Sequence, residues 1–376
     1  MKRAVLMLLC CMLTFTLFGC ADAPEQQPSP PEITQNKAPV GKMLCSVMAL
    51  SCDLNGSNGE VVATSDGTAV ILKKAGSAAY LVTNYHVVYN EFSGPDTQKI
   101  CEAIKAKPYG AESSDGVDVQ CIWVSKDYDL AVLYVENITQ IFPAATVPNI
   151  DTSRNLQVAD EVFISGNTEG SGIAVHNGNI SRASERVTIP VSYSALDISL
   201  NLIRYDATIN KGDSGGALFA DDGSLIGITN ARRKDNAGGY AIPISTVYPI
   251  VDQVISAHES GNKPEALELR FGAKLTEKAL RTIFDENSQM PVTEYKLCVS
   301  SLEAGSVGSI FLQEDDVILG VSKNGGDEIK ISRSQQLEEF LISCTDNDTL
   351  VWRYKRGESE LTYEITVSAL QMQSIN

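Results

Sequence analysis

Gly212-Asp213-Ser214-Gly215-Gly216-Ala217-Leu218-Phe219-Ala220, continued by Asp221-Asp222-Gly223 and Ser224-Leu225-Ile226-Gly227-Ile228-Thr229, decides the fold of this 376-residue chain. A serine stands in a glycine-flanked turn, and the residues after it read as a hairpin: an apolar run, an Asp-Asp-Gly turn and a second apolar run. A G-x-S-x-G pattern on a strand-to-helix elbow would instead announce a doubly wound α/β sheet. Gly212 carries no Cβ to block an approaching carbonyl, so its N–H and that of Ser214 can aim at one point and receive a developing oxyanion.

A serine hydroxyl is a weak nucleophile at neutral pH, and chemistry at Ser214 requires a histidine base and a carboxylate to orient it. The chain has three histidines. His86 follows the apolar, β-rich run Tyr80-Leu81-Val82-Thr83-Asn84-Tyr85, which can hold an imidazole at a strand end, whereas His176 and His258 have no such setting. Between base and nucleophile, Lys126-Asp127-Tyr128-Asp129-Leu130-Ala131-Val132-Leu133 puts an aspartate at the mouth of a buried strand. Asp129, directly before the apolar run, is the candidate acid and Asp127 the fallback. An α/β-hydrolase would run serine, acid, histidine; here the order is His86, Asp129, Ser214, and the one histidine after the serine, His258, lies in a polar stretch.

With these residues in place, Thr83-Asn84-Tyr85-His86-Val87, Asp129-Leu130-Ala131-Val132-Leu133, Asp206-Ala207-Thr208-Ile209-Asn210-Lys211-Gly212-Asp213-Ser214-Gly215-Gly216 and Gly239-Tyr240-Ala241-Ile242-Pro243 together resemble the HtrA/Deg family of trypsin-like serine proteases. The resemblance implies a mainly β protein. Two six-stranded antiparallel β-barrels would hold the catalytic cleft between them, followed by a small α+β PDZ-like domain. It also implies a homotrimer, polypeptide substrates and a His86–Asp129–Ser214 triad with its oxyanion hole at Gly212 and Ser214. The substrate pocket falls on Thr208, on Thr229, Asn230 and Ala231, and on Tyr240; with no carboxylate at Thr208, a small or medium apolar residue is the expected preference. The chain departs from the family twice. Asp213 stands where asparagine is usual, and Asn167-Thr168-Glu169-Gly170 stands where asparagine-proline is usual. An aspartate at the first place can pair with a cleaved N-terminus in the wider superfamily, a pairing that the long N-terminal tether here argues against.

The β-rich segments expected for the first barrel are 60–63, 68–73, 79–82, 119–124 and 130–134. For the second they are 161–165, 178–183, 202–206, 217–219, 225–230 and 239–242, with a helix over 245–257. The organisation that follows is a signal segment at 1–20, a tether at 21–42, the protease domain at 43–256, a polar junction at 257–266 and the PDZ-like domain at 267–376. In that last domain Asp315-Asp316-Val317-Ile318 resembles the Gly-Asp-x-Ile of PDZ folds, and Arg270, Phe271, Gly272 and Ala273 match the loop whose N–H groups hold a C-terminal carboxylate.

Met1-Lys2-Arg3 followed by an apolar stretch is a targeting segment, and Leu17-Phe18-Gly19-Cys20 resembles a bacterial lipobox. Acylation of Cys20 and a proline-rich spacer would hold the protein at the membrane surface of a bacterial cell envelope. Six cysteines remain after export, namely Cys45, Cys52, Cys101, Cys121, Cys298 and Cys344; domain separation favours the pairs 45–52, 101–121 and 298–344. None has zinc-site spacing, so neither a metal nor a cofactor is expected. A net charge of −17 argues against nucleic acid as a partner. The competing reading is a surface-tethered peptide-binding or holdase module in which C-termini are captured and proteolysis is latent.

Overall fold

In the computed structural model, which describes residues 39–93, 99–111, 114–191, 193, 197–286 and 289–375, the first half of the chain forms one antiparallel sheet. Its strands are β1 (Val47–Asn55), β2 (Val61–Ala75), β3 (Ala78–Thr83), β4 (Ile104–Pro108), β5 (Val117–Asp118), β6 (Gln120–Ser125) and β7 (Leu130–Val135). They lie in the order β5-β4-β1-β2-β3-β7-β6. The expected six-stranded first barrel is therefore a seven-stranded ladder, open between β5 and β6. Val119 is the reason. It alone separates the two edge strands, its side chain is buried, and its N–H bonds to Ile104 O at 3.0 Å, so the chain exchanges β4 for β7 as its pairing partner at that residue. The sheet thus curls round a core of Met48, Leu50, Ile71, Leu81, Val88 and Leu133.

The strands that follow close fully. Strands β8 (Glu161–Asn167), β9 (Ile173–Ile189), β10 (Ile198–Tyr205), β11 (Ala217–Ala220), β12 (Leu225–Arg232) and β13 (Gly239–Pro243) form a barrel in the order β10-β13-β12-β11-β8-β9. The β11–β12 hairpin turns at the Asp-Asp-Gly triplet, where Gly223 takes φ +81° and Asp222 accepts the Ser224 N–H at 2.9 Å. Apolar side chains of both sheets, among them Val70, Val82 and Val132 on one side and Leu202, Phe219 and Ile228 on the other, share one core with the helix Ile244–Glu259. That shared core holds the two sheets in register across the cleft. The helix runs to Glu259, so the junction begins at Ser260 and is shorter than expected.

Beyond it, β14 (Leu267–Leu269) pairs with the last strand, β21 (Met372–Ser374). The strands β15 (Ala273–Asp285), β16 (Met290–Leu302), β17 (Val317–Lys323), β18 (Ile329–Lys330), β19 (Thr349–Arg356) and β20 (Ser359–Thr366) form one six-stranded sheet. The helix Ser334–Ile342 supplies Leu337 and Phe340 to the core of this α+β unit, in which Trp352 stacks on Phe271 with ring centroids 4.9 Å apart. From Ala38 onward the chain packs as a single unit. No helix among the described residues is long and apolar enough to cross a membrane. Cys20 and the tether up to residue 38 lie outside the described residues.

All six remaining cysteines are free thiols, so the expected disulfides are not formed. Cys52 lies near Cys101, which with burial pushes the Cys52 thiol pKa well up, because the β1–β4 pairing brings Cys52 opposite Ile104, three residues after Cys101.

Candidate active site

The register of β3 against β7 explains why His86 and Asp129 meet. Thr83 pairs with Ala131, so the residues just beyond each strand end lie side by side, and Asn84 Nδ2 donates to Asp129 O at 3.0 Å. The one-turn helix Tyr85–Val88 buries Tyr85, Val87 and Val88 and leaves His86 partly exposed. Asp129 takes φ 51°, a left-handed conformation that aspartate tolerates better than most residues, and this turns its carboxylate under the helix. The carboxylate, 2 % exposed, accepts three hydrogen bonds. His86 N–H reaches Oδ1 at 2.9 Å, while His86 Nδ1 and Asn230 Nδ2 each reach Oδ2 at 2.7 Å.

An ionised carboxylate only accepts, so the His86 proton sits on Nδ1 and Nε2 presents its lone pair outward. Burial works to lower the His86 pKa, but the charge of Asp129 and the hydrogen bond to it prevail and hold it above the ordinary histidine value. The arrangement orients the imidazole with Nε2 as a hydrogen-bond acceptor, the geometry that a general base requires.

Ser214 comes from the opposite sheet, and every neighbour of its turn is fixed. Lys211 O accepts the Glu169 N–H at 2.7 Å, Gly212 O accepts the Thr68 hydroxyl at 2.6 Å, Ser214 O accepts the Thr68 N–H at 2.9 Å and Gly215 N–H donates to Thr229 O at 2.9 Å. The N–H groups of Gly212 and Ser214 make no hydrogen bond to the described residues. In a trans peptide the C=O and N–H point in opposite directions, so drawing Lys211 O towards Glu169 turns Gly212 N–H the other way. Gly212, at φ +88°, cannot be replaced cheaply: a Cβ there would lie 2.0 Å from Asn167 O. The Ser214 hydroxyl donates to Asn230 O at 3.3 Å and makes no hydrogen bond to His86 in this structure.

The trypsin-like peptidase domain family matches residues 67–228, which hold all three of these side chains. Over 202 residues the chain is 33% identical to the serine protease Do-like HtrA of Bacillus subtilis (strain 168), a match covering 51% of this chain and 40% of that protein. It is 29% identical over 321 residues to the serine protease Do-like HtrA of Lactococcus lactis subsp. lactis (strain IL1403), covering 81% of this chain and 71% of that protein. The fold is similar to that of the HtrA-type protease AlgW with tripeptide: TM-score 0.57 at 22% identity, over 88% of this chain and 95% of that one. The chain thus carries a trypsin-like peptidase domain and is similar to HtrA-type serine proteases.

Within this protease the residues expected to line the substrate pocket separate. Ala231 and Tyr240 border a cavity of about 300 Å³ together with Val187, Ile189 and Arg232. Thr208 is exposed and borders no part of it, the buried residues at that turn being Ala207 and Ile209. Thr229 is fully buried. Asn230 points its amide at Asp129, not into the cavity; it is the extra residue where the register of β12 against β13 shifts between Thr229 and Ala231. No motif made that contact visible in the sequence, since the partners lie 101 positions apart.

In the C-terminal unit Phe271 puts its ring into the core and Arg270 pairs with Glu303 outside it, so neither side chain faces a ligand. The Phe271 and Gly272 N–H groups make no hydrogen bond to the described residues, and Gly272 takes φ +64°. These residues, Ala273 and the helix residues Leu337 and Leu341 border a cavity of about 1260 Å³ whose far wall includes Asp127 and Tyr128, next to Asp129. Tyr128 Oη donates to Glu268 at 2.9 Å, and Arg186 and Asn201 of the barrel hold Glu338 at 2.5 and 2.7 Å.

Proposed function

We propose that this protein is a serine endopeptidase acting through Ser214, His86 and Asp129. The observation that carries the reading is the meeting of an oriented, partly exposed imidazole with two unpartnered N–H groups flanking a serine, supplied by two sheets that share one core. In the reaction Ser214 Oγ exchanges Asn230 O for His86 Nε2 and attacks the scissile carbonyl, while His86 takes its proton. The oxyanion sits against Gly212 and Ser214 N–H. His86 then protonates the leaving amine, and water repeats the sequence to release the acyl group. Asp129 keeps the imidazole in the Nδ1–H tautomer throughout.

The substrates are polypeptides, misfolded or envelope proteins among them. The C-terminal domain is PDZ-like and binds free C-termini, their carboxylate at the Phe271 and Gly272 N–H groups and their chain along β15 beside the helix Ser334–Ile342. Acylated Cys20 holds the exported protein on the membrane of a bacterial envelope. The hydrogen bond from Ser214 to Asn230 O favours a resting form of the nucleophile, and so keeps the reading of a peptide-capturing module with latent proteolysis in view. Hydrolysis of an unfolded polypeptide by the wild type and by Ser214→Ala distinguishes the two. Cleavage by the wild type alone supports the peptidase; no cleavage by either, with C-terminal peptides still bound, supports the capture module.

A further inference from the structure

The two departures from the family pattern meet in space. Thr168 Oγ1 donates to Asp213 Oδ1 at 2.8 Å, and Asp213 Oδ2 accepts the Asn210 N–H at 2.7 Å. Asp213 is completely buried directly before the nucleophile, and no lysine, arginine or amino terminus forms an ion pair with it among the described residues. A buried carboxylate must be matched by donors or its desolvation disrupts the segment that carries it.

A threonine hydroxyl has a single proton. Since Thr168 gives it to Asp213, the contact of 3.2 Å between Thr168 Oγ1 and His176 Nε2 requires His176 to donate, which fixes His176 as the Nε2–H form. Thr168 and His176 both stand on the hairpin formed by β8 and β9. The same hairpin supplies Gly166, where a Cβ would lie 2.7 Å from Asp213 Oδ1, and Glu169, whose N–H holds Lys211 O.

We propose that Thr168, backed by His176, is the positioning group that offsets the desolvation of buried Asp213 by a hydrogen bond and thereby locks the Asn210–Ser214 segment with the Gly212 and Ser214 N–H groups aimed at the oxyanion. Thr168 touches no reacting atom; it acts through Asp213. The asparagine and asparagine-proline that the family resemblance implies at these places do not require it, because an asparagine at position 213 brings no charge to bury. The inference rests on the peptidase reading, yet one of its readouts does not.

The test uses the full chain with Thr168→Val, which keeps shape and loses the hydroxyl, and Thr168→Ser, which restores it. Acylation of Ser214 by a fluorophosphonate should slow at least tenfold in Thr168→Val and stay within about twofold of wild type in Thr168→Ser, with melting temperatures of the three compared alongside. His176→Gln should retain the rate and His176→Phe should lose it in part. Independently of activity, nitrogen NMR should find His176 as the Nε2–H tautomer in the wild type and as a tautomer mixture in Thr168→Val. A wild-type rate in Thr168→Val overturns the proposal, as does an Nδ1–H His176. An unreactive wild type with the Nε2–H tautomer present would remove the peptidase reading and leave the hydrogen-bond chain standing.

Discussion

Asn230 Nδ2 donates to Asp129 Oδ2 at 2.7 Å, across the cleft from one sheet to the other. The same residue offers its carbonyl to Ser214 Oγ at 3.3 Å. Asn230 therefore ties the acid and the nucleophile to one backbone position on β12. Replacing it by alanine leaves a buried carboxylate short of one donor, a loss of about 1.5–3 kcal/mol for a bond to a charged group. Asn230→Ala should lower kcat about tenfold or more with a small effect on KM, and lower the melting temperature; an unchanged kcat would remove Asn230 from the machinery.

If His86 is the proposed base, its raised pKa should set the acid limb of activity. Below that pKa the imidazole is protonated and cannot accept the Ser214 proton, so kcat/KM should fall on acidification with a midpoint above the ordinary value near 6.5. Asp129→Asn removes the charge that raises it; the midpoint should move down while the rate drops by about 10⁴-fold. In stability the sign is the reverse. A folded-state pKa above the unfolded one favours the protonated form, so the His86–Asp129 pair contributes fully below the unfolded value and its contribution is lost as pH rises through the folded value. A pH–rate profile and a pH series of thermal melts measure the two.

Gly212→Ala should abolish the oxyanion hole without unfolding either sheet, because its Cβ would meet Asn167 O and its φ is positive. A loss of about 10²–10³ in kcat is the expected magnitude for one donor. Single-turnover acylation kinetics check it.

In the C-terminal domain Arg356 holds the buried carboxylate of Asp316 through Nε at 2.9 Å and Nη2 at 2.7 Å. Arg356→Ala should destabilise that domain by about 1.5–3 kcal/mol, read as a lower melting transition, and leave acylation of Ser214 largely intact. Gly272→Val should do the converse: its side chain would collide with Ser306, whose Cβ lies 2.2 Å from the ideal Cβ position. Peptide binding measured calorimetrically should weaken at least tenfold while the fold persists.

Most of the protease barrel was legible because its strands announce themselves locally, as in the Ala217–Thr229 hairpin with its Asp-Asp-Gly turn. Strands β1 and β4 escaped the pattern. Val47–Leu50 is a continuous apolar run with no alternation, and Ile104–Pro108 alternates with lysines over five residues only. The opening of the first sheet between β5 and β6 was hidden for a related reason, since it turns on the single residue Val119 changing partners. At the candidate site, the flanks and order of His86, Asp129 and Ser214 sufficed to single them out, and the structure brings His86 and Asp129 into hydrogen-bond contact. Thr208 does not border the cavity beside Ala231 and Tyr240, and counting back from Ser214 cannot tell which side of a turn faces a cavity. Asn230 and Thr168 were seen only as a wall residue and as an oddity, because their partners are 101 and 45 positions away and hydrogen bonds at that separation leave no periodic signal.

The peptidase reading stands or falls on the reactivity of the Ser214 hydroxyl. Treating the protein with a fluorophosphonate and mapping the adduct by mass spectrometry measures that reactivity. One adduct on Ser214, absent from Ser214→Ala and slowed by Asp129→Asn, is the predicted result; a wild-type protein that remains unmodified, or one modified equally after Ser214→Ala, would contradict it.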